Sequence, residues 1–474
     1  MKTLIKNGKI ITEEDSILAD LLIEDEKILQ IGKDLRGLET DHVIDATGLY
    51  VLPGGVDVHV HLDLPMAGTI SSDDHFTGTR AAAFGGTTMV IDFVSQGSDH
   101  LLDCVEKLRA KADEKVAVDY GLHMNITHLT PEIEKQIPLL ADVGVTSLKV
   151  FTAYNNRLRL QDGEIFKVLR IARETGLLTM LHAENGDLID LLIQEALAAR
   201  HTTPIWHART RPAWGATEAF LRGAALAAIA DAPLYIVHMN TRGEVDQMQY
   251  ALQNHFPVYG ETCPQYLLFT QNELERSDGA KWVCSPPLRT KDDQIRLWEG
   301  LKTGLIKTIA TDHCPFFFNG KQPIKYDGMD IAIAGKELGK DDFTKIPNGL
   351  PGVGDRLPVM WTEMVSSKKF TENEFVALTS ANPAKLFGMY PQKGTLKPGS
   401  DADIVLWDPG KEVNYGIAYA QHRTDYNLYE GWRLKGYPVQ VFSRGRMIVK
   451  DGEWYGKQGG GRFIQRKTFD RSLK

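Results

Sequence analysis

Eight short apolar runs, each followed by a stretch with helical character, constrain this chain more than any other feature. The runs are residues 56–61, 88–93, 119–125, 147–152, 177–182, 234–238, 258–261 and 308–312. Between them lie patterns such as HLLDCVEKLRAKADEK and EVDQMQYALQNHF, with apolar residues at i, i+3 and i+4. Runs rich in Val and Ile, apolar on both faces, suit buried parallel strands. Eight β-then-α units over about 320 residues predict an α/β fold, a (β/α)8 TIM-like barrel with insertions. A doubly wound open sheet is the main alternative, but it would not need eight repeats.

Both chain ends have a different texture. Residues 1–52 read as short strands with turns (TLIKNGKIIT, ADLLIEDEKILQIG, HVIDATGLYVLPG), and KGTLKPGSDADIVLWDP and YPVQVFSRGRMIVKDGEWYG repeat that style near the other end. Residues 1–52 with 380–474 are expected to form one small β-sandwich domain, and residues 53–379 the barrel. The tail from Tyr455, containing GKQGGGRFIQRK, reads as an extended or mobile arm.

Composition removes several classes of function. With 54 basic against 62 acidic residues the net charge is −8, which gives no footprint for nucleic acid or an anionic membrane. No run of 18 apolar residues occurs, and MKTLIKNGKIITEEDS has no signal-peptide core. A cytoplasmic protein is therefore expected. Cys104, Cys263, Cys284 and Cys314 are too widely spaced for a disulfide framework. Cys314 retains a weak metal-ligand reading, because Asp312 lies two residues before it.

The first run ends in GGVDVHVH (54–61). Side chains at i and i+2 of a strand share a face, so His59 and His61 can chelate one metal ion. The same pattern also fits two half-buried structural histidines. Barrel enzymes place functional groups at the carboxyl ends of their strands. Those ends here carry His59 and His61, Lys149, His182, His238 and Asp312. Together they form a candidate metal centre. Lys149 cannot bind a cation as an ammonium. Either it forms a structural ion pair, or its amine is converted by carbon dioxide to a carbamate that could bridge two metals. The residues alone leave both readings open.

The chain resembles the dihydropyrimidinase/hydantoinase family of cyclic amidohydrolases over nearly its whole length. The resemblance is carried by GGVDVHVHLDLP (54–65), TSLKVFTAY (146–154), LHAENGD (181–187), IVHMNT (236–241), ETCPQYL (261–267), CSPPLR (284–289), ATDHCPF (310–316), IPNGLPGV (346–353) and the 380–409 segment. It implies two zinc ions per chain, or another divalent pair. His59 and His61 would hold the first, His182 and His238 the second, with a carboxylated Lys149 between them. Asp312 would be a further ligand and the acid/base group. A water whose pKa falls from about 15.7 toward 7 would open the ring of a dihydropyrimidine or a 5-substituted hydantoin. Tyr154 would stabilise the oxyanion, although without the family it reads as a packed loop aromatic. Ser285 and Asn348 would bind the ring through their main chain.

Loops 62–72 and 151–159 would shape the substituent pocket, with Leu64 and Phe151 lining it. Arg157 and Arg159 are either solvated or bias that pocket toward polar substituents. A small-molecule substrate, no nucleic acid or membrane partner, and a homotetramer follow from the same resemblance. Three rivals share features of the pattern. Dihydroorotases carry an Arg two residues after the second histidine, where this chain has Asp63. Allantoinases differ after the histidines, where this chain reads LDLPMAGT. Non-catalytic dihydropyrimidinase-related scaffolds have lost ligands that are all present here.

Overall fold

The computed structural model describes residues 1–473 except 36, 67, 98–99, 321–322 and 327–328, and no side chain between 321 and 332. Eight parallel strands form the barrel: β1 (Gly55–Asp57), β2 (Thr87–Val94), β3 (Asp119–Asn125), β4 (Ser147–Phe151), β5 (Leu178–His182), β6 (Leu234–Ile236), β7 (Val258–Thr262) and β8 (Thr308–Ile309). Each pairs with the next in chain order. Two of the expected helical segments are helices at Leu101–Ala112 and Arg242–Gln253. The second opens on a capping box, in which Thr241 and Glu244 satisfy each other's backbone donors.

The first and last strands are shorter than their apolar runs. Instead of a ladder, side chains close the seam between them. The Asp57 carboxylate accepts from the Thr311 N–H at 3.1 Å and the Thr311 hydroxyl at 2.6 Å. The buried Arg356 guanidinium donates to the carbonyls of Val56 and Ile309, each at 2.9 Å. Beyond them a single parallel bridge joins Val60 to His313, and His61 N–H donates to His313 O at 2.7 Å. The barrel therefore closes at its carboxyl end, beside the first two histidines.

The chain ends build one continuous nine-stranded sheet. Tyr50–Pro53 is its junction: it runs parallel to Lys2–Ile11 and antiparallel to Ile404–Asn414. One face buries Ile5, Leu21, Ile23, Val51, Ile404 and Phe442 together. The basic tail is extended but not a free arm. Phe463 bridges to Tyr120, Ile464 N–H donates to Tyr120 O, and Phe469 N–H donates to Gly176 O. The Arg466 guanidinium is buried against Leu122 O and Ser147 Oγ. Its charge is spent inside the molecule, and burial pushes its pKa down to about 9. Ile464, Phe469, Phe387 and Met389 join Val56, Met89, Met180 and Tyr235 in one apolar cluster, a core shared by the barrel strands and both C-terminal segments.

A buried cation ties the sheet to the barrel. Lys393 Nζ lies 2.6 Å from Asp119, 2.9 Å from Asp401 and 2.7 Å from Asp403. Burial alone would lower the amine's pKa, but the three carboxylates outweigh it and raise it. Its charge therefore stabilises the fold while the three carboxylates are ionised, and on the alkaline side that contribution is lost only as pH rises through the raised value. Lys393→Met removes the cation these buried carboxylates share, leaving Asp119 to Arg444 and Asp401 to Lys27, and should cost roughly 3–5 kcal/mol. A urea-unfolding midpoint at pH 7 within error of the wild type would refute this.

Candidate metal centre

His59, Lys149, His182 and His238 are buried; His59, His182 and His238 lie at or just past the carboxyl ends of β1, β5 and β6, and Lys149 lies mid-strand in β4. Asp312 follows β8. His59 Nε2 and His61 Nε2 each sit 3.2 Å from the same oxygen, Asp312 Oδ1. Ligand atoms of these three residues lie within 4.8 Å of one another, so they could hold a metal ion. His182 Nδ1 and His238 Nε2 are 2.9 Å apart. The His59 and His238 rings are 5.5 Å apart, centre to centre, which joins the two pairs into one cluster.

Backbone strain accompanies this convergence. Tyr154, His238 and Asp312 have φ of 66°, 42° and 52°, in the left-handed region that side chains of this size avoid. Such positions cost on the order of 1–3 kcal/mol each and persist only where their surroundings enforce them.

Two carboxylates missing from the sequence expectations decide which imidazole nitrogen is free. Glu261, at the end of β7, takes His59 Nδ1 and also accepts from the Tyr235 hydroxyl at 2.9 Å and the His238 N–H at 3.3 Å. Glu261 therefore binds His59 Nδ1 and ties that ring to β6 and β7. Burial pushes the Glu261 carboxyl up to about 8, against the opposing pull of Lys149. Glu184 lies 2.8 Å from His182 Nε2. Burial opposes its ionisation, but His182, Arg211 and Arg289 outweigh that and keep its pKa low.

The opposite nitrogens, His59 Nε2 and His182 Nδ1, point inward, at Asp312 and at His238. Burial holds the pKa values of His59 and His238 well below normal, so both rings are neutral. For Asp312, burial pushes upward, but His59 and His61 prevail and keep it ionised. Imidazole nitrogens and a carboxylate oxygen converging at one buried end of the barrel are a donor set that fits divalent metal. The signal for both glutamates was in the sequence, as carboxylates within ETCPQYL and LHAENGD.

Lys149 Nζ fits the same picture. It is buried between the Phe93 and Phe151 rings, at 5.3 and 5.5 Å from their centres. No carboxylate lies within ion-pair distance of it among the described residues, so the structural ion pair is not formed. Burial pushes the amine down to about 8, leaving an appreciable neutral, nucleophilic fraction at neutral pH.

The remaining expected residues surround this centre. The Tyr154 ring is 5.0 Å from His182, and burial raises its hydroxyl's pKa, so it stays protonated. Asn348 Nδ2 donates to Ser285 Oγ at 3.1 Å. Leu64 lines a cavity of about 370 Å³ with Leu62, Pro65 and Phe93, and Phe93 stacks on His61. Phe151 lies against His182 and is not among that cavity's lining residues. Ala67 of the 62–72 loop lies outside the described residues. The Arg159 guanidinium is engaged by Asn155 and Asp187 and is not free in solvent. Cys314 is buried but does not join the three-residue group. A cavity of about 520 Å³ near Tyr50 and Trp361 shares no residue with the site.

A closed parallel barrel carrying imidazoles, a lysine and a carboxylate at one end defines a metal-dependent hydrolase. The chain belongs to the amidohydrolase family, whose model matches residues 50–448, and it is a cyclic amidohydrolase. It is 43% identical to a D-hydantoinase of Geobacillus stearothermophilus, covering 99% of this chain and 97% of that protein. It is 41% identical to a D-hydantoinase of Streptomyces coelicolor, covering 98% of each. The crystal structure of dihydropyrimidinase from Brevibacillus agri matches with a TM-score of 0.95 at 45% identity, over 99% of this chain and all of that one.

Glu261→Gln should weaken metal binding roughly 10–100-fold by loosening the His59 tautomer. Competition with a chromogenic chelator measures this directly, and unchanged affinity would remove Glu261 from the centre.

Proposed function

We propose that this enzyme opens the ring of 5,6-dihydropyrimidines or 5-substituted hydantoins, giving N-carbamoyl amino acids. The observation that carries this reading is the convergence of His59, His61, Lys149, His182, His238 and Asp312 around inward-facing imidazole nitrogens. His59 and His61 would hold one cation and His182 and His238 the other, with Lys149, as its carbamate, and Asp312 supplying further oxygen ligands. Two divalent ions there, zinc by ligand type, would polarise the ring carbonyl and bring a water's pKa toward 7.

Asp312, kept ionised by its two histidines, accepts a proton from the attacking water. It returns that proton to the ring nitrogen as the carbonyl C–N bond breaks, so the nitrogen leaves as a neutral amide of the carbamoyl group. The protonated Tyr154 hydroxyl donates to the oxygen on which negative charge develops. Main-chain groups at Ser285 and Asn348 hold the ring. Leu64 and Phe151 contact its substituent from two sides.

A dihydroorotase is disfavoured. Asp63 is buried where that substrate's carboxylate would need a cation. Among the described residues no helix is long and apolar enough to cross a membrane. Assembly as a homotetramer is part of the same reading. Trp214, Leu221 and Ile229 give helix Ala213–Ala230 an exposed apolar side for it.

Steady-state rates on dihydrouracil, 5-substituted hydantoins, dihydroorotate and allantoin test the proposal. Turnover of the last two alone would overturn it. Lys149→Ala should lose both metals and activity together, as read by elemental analysis. Asp312→Asn should keep its fold while kcat falls by at least about 10²-fold. A near-normal rate would assign the proton transfer to another group.

A further inference from the structure

Lys336 has no place in the chemistry above, yet it is fully buried. Its Nζ donates to Val283 O at 2.9 Å and to Pro347 O at 3.1 Å. No carboxylate pairs with it among the described residues. Burial pushes the amine down to about 7, against a smaller opposing pull from the Cys284 and Cys314 thiols. A neutral amine has two N–H groups, and two carbonyls receive them.

Those carbonyls flank the proposed ring-binding edge. Val283 lies two residues before Ser285, and Pro347 immediately precedes Asn348. The Val283 carbonyl also accepts the Gly349 N–H at 3.1 Å. Asn348 is therefore fixed on both sides to the 283–285 segment, through Lys336 at Pro347 and directly at Gly349, and its side chain reaches Ser285 Oγ. Lys336 is itself anchored, because its N–H donates to Phe317 O at 2.8 Å in the loop after β8.

We propose that Lys336 is a positioning residue for substrate recognition, clamping the Ser285 and Asn348 segments at the spacing that receives the cyclic ureide. This rests on the reading of those two segments as the ring-binding edge. Backbone groups cannot be substituted directly, so the residue that sets their separation is the accessible handle on ring binding.

Lys336→Met keeps the stem and removes both hydrogen bonds, and Lys336→Gln keeps a shorter donor. With metal content normal, Lys336→Met should raise KM for dihydrouracil and hydantoin by about tenfold while kcat stays within about threefold, the pattern of lost uniform binding. Lys336→Gln should fall between it and the wild type. Folded, metal-loaded Lys336→Met with unchanged KM would overturn the proposal. So would unfolding of both variants, which would assign the lysine to stability. A wild-type enzyme that opens neither ring would instead refute the reading of function, so the two failures are distinguishable.

Discussion

The first and last barrel strands share only a single main-chain bridge, Val60 to His313, and the active end depends on how the rest of that gap is closed. Asp57, Thr311 and Arg356 replace the missing ladder bonds with side-chain ones, all buried. Burying an arginine and an aspartate is costly, and burial alone shifts both pKa values toward their neutral forms. What the arrangement gains is register. Thr311 immediately precedes Asp312, and Asp57 lies two residues before His59, so one seam fixes a carboxylate against two imidazoles. An ordinary two-strand ladder would keep both segments extended, and Asp312 could not take the left-handed turn that aims it at His59 and His61.

Electrostatics then makes the cluster chemically specific. Four imidazoles, an amine and three carboxylates share a buried space, which is tolerable only if most are neutral or paired. Glu261 and Glu184 each engage one imidazole nitrogen, and the opposite nitrogen is left facing inward. His123 shows the contrast. It is as deeply buried, on β3, but its two ring nitrogens meet Ser147 Oγ and Val58 O, so it has no atom left for a ligand. Burial and residue type do not separate a core histidine from a ligand. The partner of the second nitrogen does.

The barrel and the meeting of His59, His61, His182, His238 and Asp312 at one end of it were legible in the sequence because their signals are local: apolar runs of a strand's length, most of them ending in a polar residue. The strand ends were less so. His59 and His61 lie past β1, and His238 and Asp312 lie past β6 and β8, because the chain leaves the ladder to aim them. What escaped was non-local. Glycine and basic residues gave the tail the look of a free arm, and only the three-dimensional floor of the barrel shows Arg466 meeting Leu122 O and Ser147. The pairing of Arg159 with Asp187 crosses 28 residues that no periodicity links. Lys336 sits in AGKELGK, a segment that by composition is an ordinary solvated turn.

The ring-binding edge and the proton-transferring carboxylate are also mechanically one unit. Asp312 continues into His313 and Cys314. His313 bridges to Leu350, and Cys314 N–H donates to Leu350 O at 2.9 Å. One residue earlier, Gly349 passes so close to the Cys314 carbonyl that a Cβ there would lie 2.2 Å from its oxygen, at a φ of 158° that suits glycine. The segment holding Asn348 is thus fastened to the loop holding Asp312 on one side and to Val283 and Lys336 on the other. On the proposed reading, a ring gripped by backbone at Ser285 and Asn348 would be presented to Asp312 at a distance set by main-chain hydrogen bonds. The substituent on the ring takes no part in that distance. An enzyme built this way can accept varied side groups near Leu64 and Phe151 without moving the scissile bond from its base.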